Sequence, residues 1–189
     1  MCQSNSKALF FWRPRPCWSK LVSTARQPRG IALRQGEGRR PVYRLQQAAA
    51  AKGFVTTGCD ETLWEHVYHP QRLAIVEKCI AVTGIIHHVK KEPDGDEHIQ
   101  LQLDSQFEGL LNGRNRTAQA DCLILEPICQ NPVTQADAVD ACRDFHSAVE
   151  LPTESHAHVR VLGSYVLDTD KPGHGWMEIH PVTRIEVVQ

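Results

Sequence analysis

From Leu73 onward the apolar residues return at every second position in five separate runs, and that period belongs to half-buried β-strands, not helices. The clearest run has Ile99, Leu101 and Leu103 on one face and His98, Gln100, Gln102 and Asp104 on the other. Before it, Ile80, Val82, Gly84 and Ile86 alternate with Cys79, Ala81, Thr83 and Ile85, and a glycine inside such a run signals a bulge or sharp bend. Cys122 to Glu126 reads as a third strand. His158 to Asp168 reads as a fourth, with Val159, Val161, Gly163, Tyr165 and Leu167 in phase. In the fifth, Met177, Ile179, Ile185 and Val187 are expected to face in, while Trp176, Glu178, His180 and Arg184 face out.

Two interruptions read as helical. Asp60 and Glu61 suit a helix start, Leu63, Trp64, Val67 and Tyr68 give a packing face, and Pro70 ends the helix. Thr134 and Asp137 form a variant capping box ahead of Ala138, Cys142, Phe145 and Val149, which predicts three to four helical turns ending before Pro152. Pro93-Asp94-Gly95-Asp96 is a turn, and a polar loop is expected through Asn112–Asn115.

Three strands, a helix and two strands resemble the oligonucleotide/oligosaccharide-binding (OB) fold, an all-β five-stranded Greek-key barrel with one helix between strands three and four. Here a short helix precedes the barrel, which covers 73–189. Two phrases, Pro-Asp-Gly-Asp-Glu-His and His-Gly-Trp-Met-Glu-Ile-His-Pro-Val, also resemble a group of bacterial OB-like proteins, some of them exported. The resemblance brings no activity with it.

Charge divides the chain. Residues 1–52 hold eleven Lys and Arg against one acid, Glu37, a net +10; the remaining residues hold ten basic and twenty-one acidic side chains, a net −11. With Pro14, Pro16, Pro28 and Pro41 and little apolar periodicity, the basic stretch is expected to be a disordered arm or an extension from an upstream start, a targeting segment, or a tail for nucleic acid or an acidic partner. Residues 53–72 form the short helix and lead-in. No apolar run approaches the roughly 20 residues of a membrane-spanning helix.

Seven cysteines without a CxxC pair give no support for a zinc ribbon or a thioredoxin-type site. Cys129 and Cys142 bracket a short segment that a disulfide could close, which leans towards an oxidising, extracytoplasmic compartment, periplasmic or secreted; the cytoplasmic alternative has the cysteines as small buried hydrophobes.

Three functions compete. The first is a non-catalytic module binding a protein or small ligand, with Asp96, His98, Trp176, Glu178 and His180 as candidate contacts and Trp176 as an aromatic platform. The second is single-strand nucleic-acid binding. It is disfavoured because the barrel is acidic and the second and third strands present no aromatic residue outward. The third is a divalent-metal-dependent hydrolase, with His98, His174, Glu178 and His180 as the ligand set. The Ser-nucleophile, phosphate-loop, dinucleotide and HExxH signatures are missing from the sequence.

Overall fold

The computed structural model describes residues 47–48, 50–169 and 175–188, all within one unit spanning 34–189. Five strands close into a barrel in the order β1-β2-β3-β5-β4: β1 (Leu73–Lys91), β2 (Glu97–Leu103), β3 (Leu123–Leu125), β4 (His158–Asp168) and β5 (Met177–Val187). Every neighbouring pair is antiparallel except β3 with β5.

Closure depends on β1, which is long enough to serve two neighbours. Its first part pairs with β4 (Leu73↔Asp168 to Ile85↔His158) and its last part with β2 (Gly84↔Leu103 to Lys91↔Glu97). The handover falls at Gly84, where a Cβ would lie 2.3 Å from the carbonyl oxygen of Gln102. The mid-strand glycine therefore marks close backbone approach, while the register shifts occur at Ile75–Ile80 and at Ile86–His88. Gly163 plays the same part between β4 and β5, where a Cβ would lie 2.4 Å from an Ile179 methyl.

Alternating residues of all five strands fill the interior, among them Ile80, Val82, Leu101, Leu125, Val161 and Ile179. Tyr165 is fully buried; its hydroxyl meets the Leu110 carbonyl at 2.5 Å and Gln47 Oε1 at 3.3 Å. Ala51 is also fully buried in this core, so packing begins inside the stretch assigned to the basic arm. The expectation for residues 1–46 lies outside the described residues.

Asp60 caps a 3₁₀ helix (Glu61–His66), tighter than an α-helix but at the expected place. The helix expected after β3 does not form. Residues 135–145 run instead through successive three-residue turns, Ala138 to Gln135, Ala141 to Ala138 and Phe145 to Cys142, and Asp144 takes a positive φ of 57°. The Thr134 side chain does not cap: its Oγ1 donates to the Pro93 carbonyl at 3.3 Å, and the N–H groups of Thr134 and Gln135 bond to the same carbonyl. The apolar stripe also serves two cores: Val149 joins the barrel interior, whereas Cys142 and Phe145 pack outside the wall with Leu63, Val67, Ile128 and Val166. Helical structure appears between β2 and β3, as a 3₁₀ turn (Ser105–Leu110) and α1 (Gly113–Ala118). The expected polar loop is thus α1, capped reciprocally by Asn112 and Asn115. Asn115 is fully buried and holds the start of β5: its Oδ1 accepts from Met177 N at 2.8 Å and its Nδ2 donates to the Met177 carbonyl at 2.9 Å.

Two disulfides tie the outer layer down, Cys59–Cys79 and Cys129–Cys142, and Cys122 is a buried thiol. No described helix is long and apolar enough to cross a membrane.

Candidate functional site

Strand register assembles the site. On β2, Ile99 pairs with Leu125, which sets His98 opposite Glu126, just past the end of β3. The parallel β3–β5 contact pairs Ile124 with Glu178 and Leu125 with Ile179, and it continues through Glu126 N to the Ile179 carbonyl and Val182 N to the Glu126 carbonyl. Two glutamates distant in sequence thereby become neighbours in space. Period two on β5 then puts Trp176, Glu178 and His180 on one face.

These side chains are already bonded to one another. His98 Nδ1 donates to Glu126 Oε1 at 2.7 Å, and its Nε2 lies 3.3 Å from Gln119 Oε1, which also faces Gln100. Trp176 Nε1 donates to Glu178 Oε1 at 2.5 Å, and the other oxygen of Glu178 faces His180 Nδ1 at 3.4 Å. The Trp176 ring stands edge-on to His98, with centroids 6.4 Å apart.

Glu178 and His180 are 1% and 0% exposed, which corrects the expectation of a solvated outer face. They do lie on the outer side of the barrel wall. That side is covered here by the segment after β3, whose Ile128 and Cys129 pack with Val166, the residue following Tyr165 on β4. Val187, expected to face in, is 56% exposed near the end of β5.

Burial and charge shift the acids and bases together. Burial works against the His98 imidazolium, but the hydrogen bond and charge of Glu126, with help from Gln119 and Glu178, push it up to about 9. Burial likewise opposes the His180 imidazolium, and Glu178, Glu126 and Asp96 outweigh it and raise the group above its ordinary value. Glu126 is raised by burial, with His98 acting in the other direction. Burial lifts Asp96 to about 7, against the pull of His180 and of the Cys129 N–H that it accepts at 2.8 Å. His98 is therefore charged near neutral pH on the Glu126 carboxylate, and His180 is shifted towards its charged form beside Glu178. His180 Nε2 is buried without a hydrogen-bond partner.

The network forms the floor of a cleft of about 680 Å³. Trp176, His98, Glu126 and Glu178 line it directly; Asp96 and His180 sit in a second layer behind. The rim comes from the end of β1 (His88, Lys90), the Glu92–Asp94 turn and the Tyr68–Arg72 segment. Rim charges are paired as well, Arg72 with Asp168 at 2.8 Å and Lys90 with Glu92 at 2.7 Å. His69, at the start of this segment, holds a left-handed backbone (φ 51°) and stacks on Tyr68.

Of the suggested metal set, His174 lies outside the described residues. The Nδ1 atoms of His98 and His180 both face carboxylates, and no three of the remaining ligand atoms close to metal-binding distance. Among the described residues, the group whose ligand atoms all lie within 4.8 Å of one another is Asp96, Cys129 and Cys142, and there the two sulfurs are joined in a disulfide.

Sequence reasoning passed over Glu126, Gln119 and the Arg72–Asp168 pair. Glu126 did leave a trace: a carboxylate directly after Leu123-Ile-Leu125, with Pro127 and Ile128 following, is an acid set between buried apolar residues. Comparison of the chain with protein-family models, curated proteins and solved structures finds no match.

Proposed function

We propose that this chain is a non-catalytic binding module built on an OB-like barrel, and that a small polar molecule occupies the cleft above Trp176, His98, Glu126 and Glu178. Support for the OB assignment is the strand order, the parallel β3–β5 closure and the sharing of β1 between two partners. The observation that carries the binding reading is that the cleft floor is already organised: its imidazoles, carboxylates and amides are locked by one another before any ligand arrives. A preformed concave site with an aromatic wall and converging polar groups is the usual form of a small-molecule site. Two disulfides favour an extracytoplasmic setting.

Nucleic acid is the weaker reading, because phosphate affinity comes from unpaired Lys and Arg, and the lining's Arg72 and Lys90 each hold a carboxylate. A metal-dependent hydrolase is not favoured, since the ligand atoms of His98, Glu178 and His180 do not all come within 4.8 Å of one another. Equilibrium dialysis of the protein against a small-molecule extract, read by mass spectrometry, tests the proposal. A compound should be enriched by the native protein, lost with Trp176→Ala and recovered with unchanged mass. Enrichment that is indifferent to Trp176→Ala would overturn the site, and recovery of a product in its place would overturn the non-catalytic reading.

A further inference from the structure

We infer that the ligand of this cleft is a small organic cation, an amine, amidine or guanidine, seated against Trp176 and the carboxylates of Glu178, Glu126 and Asp94. The inference rests on the binding reading above and adds the charge of the ligand.

The argument starts from the lining's charges. Among the described residues, five carboxylates face the cleft (Glu92, Asp94, Glu126, Asp168 and Glu178) against three cations, Arg72, Lys90 and His98. Each of those cations is matched to one carboxylate, Asp168, Glu92 and Glu126 respectively, at 2.8, 2.7 and 2.7 Å. Behind the lining lie one more base, His180, and one more acid, Asp96, part-ionised near neutral pH; together they do not cancel the lining's excess of two carboxylates. Among the described residues, an anionic ligand would enter against this field with each lining Lys and Arg already holding a carboxylate. A cation would complete it.

Geometry supports the same class. Glu178 and Glu126 have side chains only 2% and 9% exposed, so their attraction for an incoming cation is weakly screened by salt. Each carboxylate has more acceptor positions than its contacts with His98, Trp176 and His180 occupy. Trp176 is half-buried on the cleft wall, and an indole face attracts a cation as no aliphatic wall would.

Seating a cation here also has a proton consequence. Burial lifts Asp96, behind the lining, to about 7. A positive charge nearby favours its ionised form, so binding near neutral pH should release protons.

Calorimetry with benzamidinium, benzamide and benzoate tests the charge at nearly constant shape, with glucose as a neutral polyol. Benzamidinium should bind at least ten times more tightly than benzamide, with benzoate and glucose weaker still. Its heat should change with buffer ionisation enthalpy in the sense of proton release. Asp94→Asn, at the rim, and Glu178→Gln, on the floor, should each weaken benzamidinium about tenfold without affecting benzamide; the rim variant keeps the test valid if the floor variant fails to fold. If benzamide, benzoate or glucose binds as well as benzamidinium in a Trp176-dependent way, the cation class is refuted and the cleft remains a binding site. If none of the four shows Trp176-dependent binding, the binding reading itself is refuted.

Discussion

Replacing Glu178 by Ala should be among the most destabilising single changes in the described chain, and the size follows from what it leaves behind. Glu178 Oε2 lies 3.4 Å from His180 Nδ1, the two side chains are 2% and 0% exposed, and His180 Nε2 has no other partner. Removing one member of a buried ion pair costs about 3–5 kcal/mol, because the other charge stays buried without compensation. The Trp176 Nε1 bond is lost as well, which adds about 1 kcal/mol or more. Relief of the Glu178–Glu126 repulsion works in the opposite direction, so a net loss of about 3 kcal/mol is expected. For a domain of this size that corresponds to a fall in Tm of about 6–12 °C. The pH dependence gives a second check. Because His180 is raised in the folded state, its contribution is fully present below the ordinary histidine value of 6.5 and fades as pH rises through the folded value. The cost of Glu178→Ala should therefore be greatest at pH 6 and shrink in more alkaline solution. Urea denaturation followed by circular dichroism at several pH values measures this, with Glu178→Ala/His180→Ala completing the cycle. The double variant should be less destabilised than the two single changes combined by at least about 1 kcal/mol. A loss within about 0.5 kcal/mol, as expected for a solvated surface position, or a loss independent of pH, would refute the buried pair.

Gly84→Ala should lower the urea midpoint by the equivalent of about 1–3 kcal/mol, because its Cβ would sit 2.3 Å from a backbone oxygen; Gly113→Ala, with nothing within 4 Å, should cost nothing measurable. Peptide mapping without reductant should recover Cys59 linked to Cys79 and Cys129 linked to Cys142, and Cys129→Ser/Cys142→Ser should lose roughly 3 kcal/mol for a loop of this length. The His98 ring should titrate by NMR with a midpoint near 9, and stability should decline between pH 6.5 and about 9, a slope that His98→Gln flattens. Asp96 has the opposite perturbation for an acid: raised from 3.8 to about 7, it lowers stability as pH rises through that window, so Asp96→Asn should gain most relative to the native protein at pH 8.

The strands were legible in the sequence because their cause is local. Ile99, Leu101 and Leu103 alternate with polar neighbours since each barrel wall has one face in the core, and β2 and β4 appear where that pattern lies. Gly84 was legible for a related reason, since a glycine within an apolar strand implies something pressed against the backbone. The segment from Thr134 to Val149 shows the limit. Its helical spacing is real, but the disulfide to Cys129 and the bonds to Pro93 hold it as turns, and its apolar residues serve two different cores. Spacing records which residues are apolar, not which surface each one meets. The candidate site shows the same division. His98, Trp176, Glu178 and His180 stood out as unusual residue types on predicted strands, whereas Glu126 became part of the site only through the β2–β3 and β3–β5 pairings. Alternation correctly set Glu178 and His180 on the outer side of the wall. That this outer side is dry was decided by a segment packed over it from elsewhere in the chain, a non-local contact that no local period encodes.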